Sequence, residues 1–180
     1  MDQEITRWIN APAGSHAAVD MAMVAITRYG VPLLILLVVV QWWGRQDRLH
    51  LRHACVAAGL SFLIGLGLNQ VVLLFVHRVR PYDAGISHLI IERSADWSFP
   101  SDHATAAVAI AAAFLLQGFR GRGSVFLIAA LVICVSRVYV GTHYATDVLG
   151  GAATAILAAI AVRLLYRQGT KADRLVTSIL

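Results

Sequence analysis

Apolar residues in this chain come in long blocks separated by short polar stretches, without the alternation of strands or the 3.6-residue stripe of surface helices. Five blocks approach the roughly 20 residues that carry a helix across a bilayer. They run from about Met21 to Trp43, Ala54 to Val76, His103 to Phe119, Val125 to Val140 and Val148 to Leu165. The third is short and rich in alanine. Pro32 lies inside the first, where membrane helices tolerate it, and Trp42 and Trp43 are placed as interfacial anchors. Gly65, Gly67, Gly150, Gly151 and Ala152 permit close helix approach. Residues 2–9 can set Ile5, Trp8 and Ile9 on one side of a short interfacial helix, or fray as a terminus. The expected fold is all-α: an integral membrane bundle of about five transmembrane helices plus a short N-terminal interfacial helix. One domain is expected over 1–180, with an interfacial segment at 1–15, a motif-bearing core at 54–166 and a cytoplasmic tail at 167–180.

Composition supports spans over a large soluble core. The 180 residues are 58% hydrophobic and 14% charged, with mean hydropathy +0.69, whereas soluble domains are nearer half apolar and a quarter charged. The net charge of +5 does not point to nucleic acid, because the basic residues sit in short stretches between apolar blocks. Nine of the fifteen (Arg45, Arg48, Arg52, Arg120, Arg122, Arg163, Arg167, Lys171 and Arg174) fall on one side of a five-span chain, which marks that side as cytoplasmic. The N-terminus and residues 77–102 and 141–147 then lie outside. Met1 to Asn10 is polar and lacks the apolar region of a signal peptide, so the first span is expected to direct insertion. Cys55 and Cys134 lie within apolar blocks, so neither a disulfide nor a zinc motif is expected.

The candidate chemistry gathers at the outer ends of the spans. His143 and Asp147, four apart, share a helical face; a carboxylate beside an imidazole sets its tautomer and frees the other nitrogen to attack. Alone, that pair reads equally as a structural contact or half a metal site. Arg137 ends the fourth block, where a charge either grips an anion with its guanidinium fork or snorkels to the interface. Ser136 offers a hydroxyl to a phosphate or bonds back to the preceding turn. Pro100-Ser101-Asp102-His103 opens the third block: a helix start presents free N–H groups to an anion, Ser101 is a good N-cap, and His103 is a candidate general acid and base. Asp102 favours the helix dipole but repels an anion, so it is expected to point away. Arg80, before Pro81, is a second candidate clamp. His77 and Arg78 are auxiliary candidates or lipid-headgroup contacts. Tyr82, Asp83, His88, Glu92, Arg93, Asp96 and Trp97 are expected to cap the site.

Together these residues resemble the membrane branch of the type 2 phosphatidic acid phosphatase superfamily, which also includes vanadium haloperoxidases. Its pattern is a lysine, six residues and Arg-Pro; then Pro-Ser-x-His; then Ser-Arg, five residues, His, three residues and Asp. Ser136, Arg137, His143 and Asp147 match the third motif, Pro100, Ser101 and His103 the second, and Arg80 and Pro81 part of the first. Leu73 stands in place of the lysine, deep in the second span, and His77 or Arg78 is the candidate substitute. The Pro-Ser-Asp-His and Arg-Pro-Tyr-Asp forms are similar to bacterial undecaprenyl-diphosphatases. The resemblance implies His143 as nucleophile, Asp147 orienting it, and His103 protonating the leaving oxygen. It implies Arg80, Ser101 and Arg137 around the phosphorus, with no cofactor and no metal. The expected activity is hydrolysis of the terminal phosphate of a polyprenyl diphosphate at the outer face of a bacterial inner membrane, with the bilayer and its lipid as partners. Phosphatidylglycerol phosphate or phosphatidate hydrolysis is the main rival. A small transporter or channel and a zinc hydrolase built on two His and two Asp are the readings from other classes.

Overall fold

A computed structural model describes residues 1–45 and 47–179, and every regular element among them is a helix. They are α1 (Asp2–Asn10), α2 (Ala17–Gln41), α3 (Arg48–Leu73), α4 (Asp102–Leu116), α5 (Arg120–Tyr139), α6 (Ala145–Leu165) and α7 (Lys171–Thr177). Four of these, α2, α3, α5 and α6, are long and apolar enough to cross a membrane, and α4 is a shorter apolar helix of 15 residues.

The alanines of α4 explain its place. It packs against α3, α5 and α6 at the centre of the bundle, with Ala104, Ala107, Ala109, Ala111, Ala113 and Phe114 all buried. A helix covered on every side needs no polar face, and methyl side chains let its neighbours close in. Glycine does the same where backbones nearly touch: a β-carbon at Gly151 would collide with the Ser101 carbonyl, and one at Gly65 would lie 2.8 Å from Thr105 Cγ2. The opposite case is α2, at the rim, with Leu33, Leu36, Leu37 and Val40 exposed. It is pinned to α5 where the Thr27 hydroxyl meets that of Ser136 at 2.8 Å.

One end of the bundle carries α1, the 74–101 loop and the 140–144 turn. Asn10 ties α1 to the loop and to the end of α5: its amide nitrogen donates to the carbonyls of Tyr139 (2.7 Å) and His88 (2.9 Å), and its oxygen accepts from the His88 N–H at 2.7 Å. The other end holds α7. Its Asp173 accepts from Tyr166 Oη at 2.7 Å and pairs with His53 Nδ1 at 2.8 Å. Beside it Arg52 donates to the Thr177 carbonyl at 2.8 Å and the Trp42 carbonyl at 3.2 Å. This corrects two expectations. The second span begins at Arg48 rather than near Ala54, because Arg52 and His53 are buried partners of α7 instead of loop charges. The expected tail is a docked helix up to Thr177; Leu180, its last residue, lies outside the described residues. Burial alone would raise the Asp173 carboxyl, but donors from Tyr166, Gly169 and His53 outweigh it and hold it below its usual value.

Asp173→Asn removes the charge that those three donors converge on. It should lower stability by about 2–4 kcal/mol, read as a lower unfolding temperature in detergent. Gly151→Ala should cost about 1–3 kcal/mol by forcing α6 off the α4 terminus, read the same way.

Candidate active site

Four chain segments meet in one small cavity. Arg80 follows α3, His103 sits in the first turn of α4, Arg137 lies near the end of α5, and His143 occupies the turn into α6. With Leu73, Ser94, Asp96, Trp97, Pro100 and Asp102 they line a space of about 120 Å³.

His143 is buried, and its ring is held from one side. Nδ1 lies 2.8 Å from the Ser98 carbonyl oxygen. A carbonyl can only accept, so Nδ1 carries the proton and Nε2 keeps its lone pair. Nε2 lies 3.5 Å from Arg80 Nη1, on the cavity side. Asp147 Oδ2 stands 3.6 Å from Nδ1, too far for a hydrogen bond. That carboxylate is instead saturated: Oδ2 accepts from the Ser98 hydroxyl (2.5 Å) and the Tyr144 N–H (2.8 Å), and Oδ1 from Arg78 (2.7 Å). Asp147 thus holds the two segments flanking the imidazole, and the Ser98 carbonyl, rather than Asp147 itself, receives the ring proton. Burial keeps the imidazole below its usual pKa of 6.5; the Asp147 charge opposes this without reversing it.

The two guanidinium groups differ. Arg80 is buried and saturated, donating to the Asp96 carbonyl (3.0 Å) and carboxylate (2.8 Å) and to the Thr142 carbonyl (2.9 Å). Arg137 is equally buried, yet its Nε has no hydrogen-bond partner and no carboxylate among the described residues lies within ion-pair distance. Ser101 occupies the N-cap position of α4 without making the capping bond, and its Oγ is a buried orphan too. An unsatisfied buried donor costs on the order of 1–3 kcal/mol, more for a charged group. Two such groups beside one cavity are what an oxyanion would satisfy.

Other expectations are corrected. Asp102 does not point away: it lines the cavity, with Oδ1 accepting from Asn69 Nδ2 at 2.7 Å. Ser136 faces away, bonding the Ile133 carbonyl (2.7 Å) and Thr27. Leu73 is the last residue of α3 and lines the cavity instead of lying deep in the span. Neither candidate replaces the lysine. His77 is exposed and packs its ring on Trp97, 5.2 Å between centroids. Arg78 is a strut behind Asp147, donating to Asp147 and Thr146 (both 2.7 Å) and to Asp2 of α1 (2.5 Å), with its guanidinium 3.8 Å over the Tyr144 ring. Of the loop residues, Arg93 pairs with Asp83 at 2.7 Å, whereas Asp96 and Trp97 form part of the cavity wall. Sequence reasoning missed Asp2, Asn69 and Ser98. Only Asn69 leaves a signal, an amide inside an apolar block; the other two act through contacts with remote segments. Among the described residues, no three His, Cys, Asp or Glu side chains are grouped to hold a metal ion.

A family model described as the PAP2 superfamily matches residues 54–171. Undecaprenyl-diphosphatase BcrC of Bacillus subtilis is 37% identical over 159 residues, covering 87% of this chain and 80% of that protein. Among solved structures, a transmembrane PAP2-type phosphatidylglycerolphosphate phosphatase from Bacillus subtilis superposes with a TM-score of 0.66 at 24% identity, over 94% of this chain and 86% of that one. Aquifex aeolicus LpxE gives 0.69 at 21% identity, over 89% and 93%.

Arg78→Ala should lower kcat for phosphate release about 10- to 100-fold with a smaller change in KM, since it removes the support of Asp147 and no cavity wall. Ser136→Ala should lower kcat/KM less than about threefold, and Ser101→Ala at least about tenfold, when the two variants are assayed side by side.

Proposed function

The chain belongs to the PAP2 superfamily and is a membrane lipid phosphatase, and from that premise we propose that it removes the terminal phosphate of a polyprenyl diphosphate through a phosphohistidine on His143. The observation that carries the reading is the His143 tautomer: Nδ1–H is spent on the Ser98 carbonyl, and the Nε2 lone pair faces a cavity walled by Arg80, Arg137 and His103. Nε2 attacks phosphorus as the bridging P–O bond breaks. His103, protonated once the phosphate anion binds beside it, gives its proton to the leaving oxygen, releasing the polyprenyl monophosphate. The now neutral His103 takes a proton from water, whose oxygen attacks the phosphohistidine, freeing inorganic phosphate and restoring Nε2. Arg80, the orphaned Arg137 and the Ser101 hydroxyl stabilise the charge on the equatorial oxygens.

Substrate and setting follow from the relatives and the charge distribution. A 37% identical relative is an undecaprenyl-diphosphatase. Arg45, Arg120, Arg122, Arg167, Lys171 and Arg174 gather around the α7 end, opposite the cavity. Basic loops stay cytoplasmic, so the cavity faces the periplasmic or extracellular side of a bacterial inner membrane.

His143→Ala should lower phosphate release more than about 10³-fold while the protein stays folded in detergent, and undiminished release would remove the nucleophile. His103→Ala should lower phosphate release about 10²- to 10⁴-fold, since it removes the proton donor of the first step and the base of the second. Undecaprenyl diphosphate should be turned over faster than phosphatidylglycerol phosphate or phosphatidate in the same assay; the reverse ranking would assign the rival substrate. Because attack needs neutral His143 and burial lowers its pKa, the acid limb of kcat/KM that His143 sets should lie below pH 6.5.

A further inference from the structure

The cavity that holds His143 does not end at His103. A second chamber of about 360 Å³ lies beyond it, sharing Ser94, His103 and Arg137 with the first and reaching α2 at Val24, Thr27 and Arg28. His143 lines the first chamber alone. In phosphoryl transfer the attacking and leaving oxygens or nitrogens stand in line across phosphorus. A phosphoryl group between the two arginines, attacked from His143, therefore expels its leaving group past His103 into the second chamber.

Arg28 waits there. It lies twelve positions into α2, about 16 Å along the helix from Ala17, where an unpaired charge is costly in a membrane span. Among the described residues it has no hydrogen bond or ion pair. Its neighbour Thr27 bonds Ser136, the residue before Arg137, at 2.8 Å, so Arg28 stands level with the phosphoryl clamp. Besides Arg137, shared with the first chamber, the other charged groups are Glu92, exposed like Arg28, and Arg93, which is held by Asp83. The alternative exit, under Trp97, is lined by Asp83, Asp96 and Arg80, and the guanidinium there is already paired with Asp96, so it offers an anion no free cation.

We propose that Arg28 binds the second phosphate of a diphosphate lipid, the one retained on the leaving group, and so selects diphosphates over monoesters. This rests on the phosphatase reading above. It also offers a cation on the leaving-group side of a site that has Leu73 where the superfamily pattern has lysine. A monoester leaves as an uncharged alcohol and gives Arg28 nothing to hold; a diphosphate leaves as a phosphate monoester whose developing charge Arg28 meets.

The test uses the full chain in detergent as wild type, Arg28→Gln and Arg28→Lys, with farnesyl diphosphate and dioleoyl phosphatidate as probes. The ratio of kcat/KM for the diphosphate over the monoester should fall at least about tenfold in Arg28→Gln, the scale of one charge-assisted contact, and recover at least in part in Arg28→Lys. Inhibition by inorganic pyrophosphate should weaken in Arg28→Gln more than inhibition by orthophosphate. An unchanged ratio, or an equal loss on both substrates, overturns the assignment. A wild-type enzyme that hydrolyses phosphatidate and leaves farnesyl diphosphate intact instead overturns the diphosphate reading itself. Arg28 has no partner to lose, so the variants should keep the wild-type unfolding temperature, which separates binding from folding.

Discussion

Positive charge buried without its counter-charge is the constraint around which this molecule is organised. Arg80 and Arg137 share a cavity of about 120 Å³, and only Arg80 has a carboxylate in contact, the half-exposed Asp96. A guanidinium left uncompensated in a low-dielectric interior is destabilising by several kcal/mol. The bundle bears that cost here, as it does at Arg52 beside α7, and offsets it with the alanine packing of α4 and the clasp around Asp173. The reward is a strong, fixed field at the point where a tetrahedral oxyanion would sit, with no reorganisation required at the moment of reaction.

Asp147 distributes this order through the chain. It touches Ser98, Tyr144 and Arg78 directly, and through Arg78 it reaches Asp2 in the first helix. The first and sixth helices and the long loop are therefore joined at one carboxylate. Its contribution to the imidazole is indirect: it holds Ser98, and Ser98 holds the ring. A carboxylate that binds the supports of a catalytic group still governs that group's geometry.

The helices were legible because the hydrophobic blocks are long and clean, and the third block stood out as short and rich in alanine. The limits of that reading are physical. Arg52 looks like a loop charge until α7, more than a hundred residues later, supplies its partner. Ser136 and Ser101 are both serines beside site residues. Which one keeps a free hydroxyl depends on whether Thr27 of another helix stands within reach, and no spacing rule encodes that. Arg78 reads as a headgroup contact because its two acidic partners are remote in the chain. Asp102 was expected to avoid the anion; Asn69, whose role the motifs do not announce, instead holds one of its oxygens at the cavity wall.

The shortness of α4 sets the elevation of the chemistry. Fifteen residues rise about 22 Å, whereas a hydrocarbon layer is about 30 Å thick. Its far end abuts α3, where His50 meets the Gln117 carbonyl at 2.7 Å. A helix that short falls about 8 Å short of a full hydrocarbon layer, so the histidine in its first turn stands recessed within the bundle relative to the ends of its longer neighbours. An anion reaching it sheds water on the way, and the buried arginines are what compensate that loss.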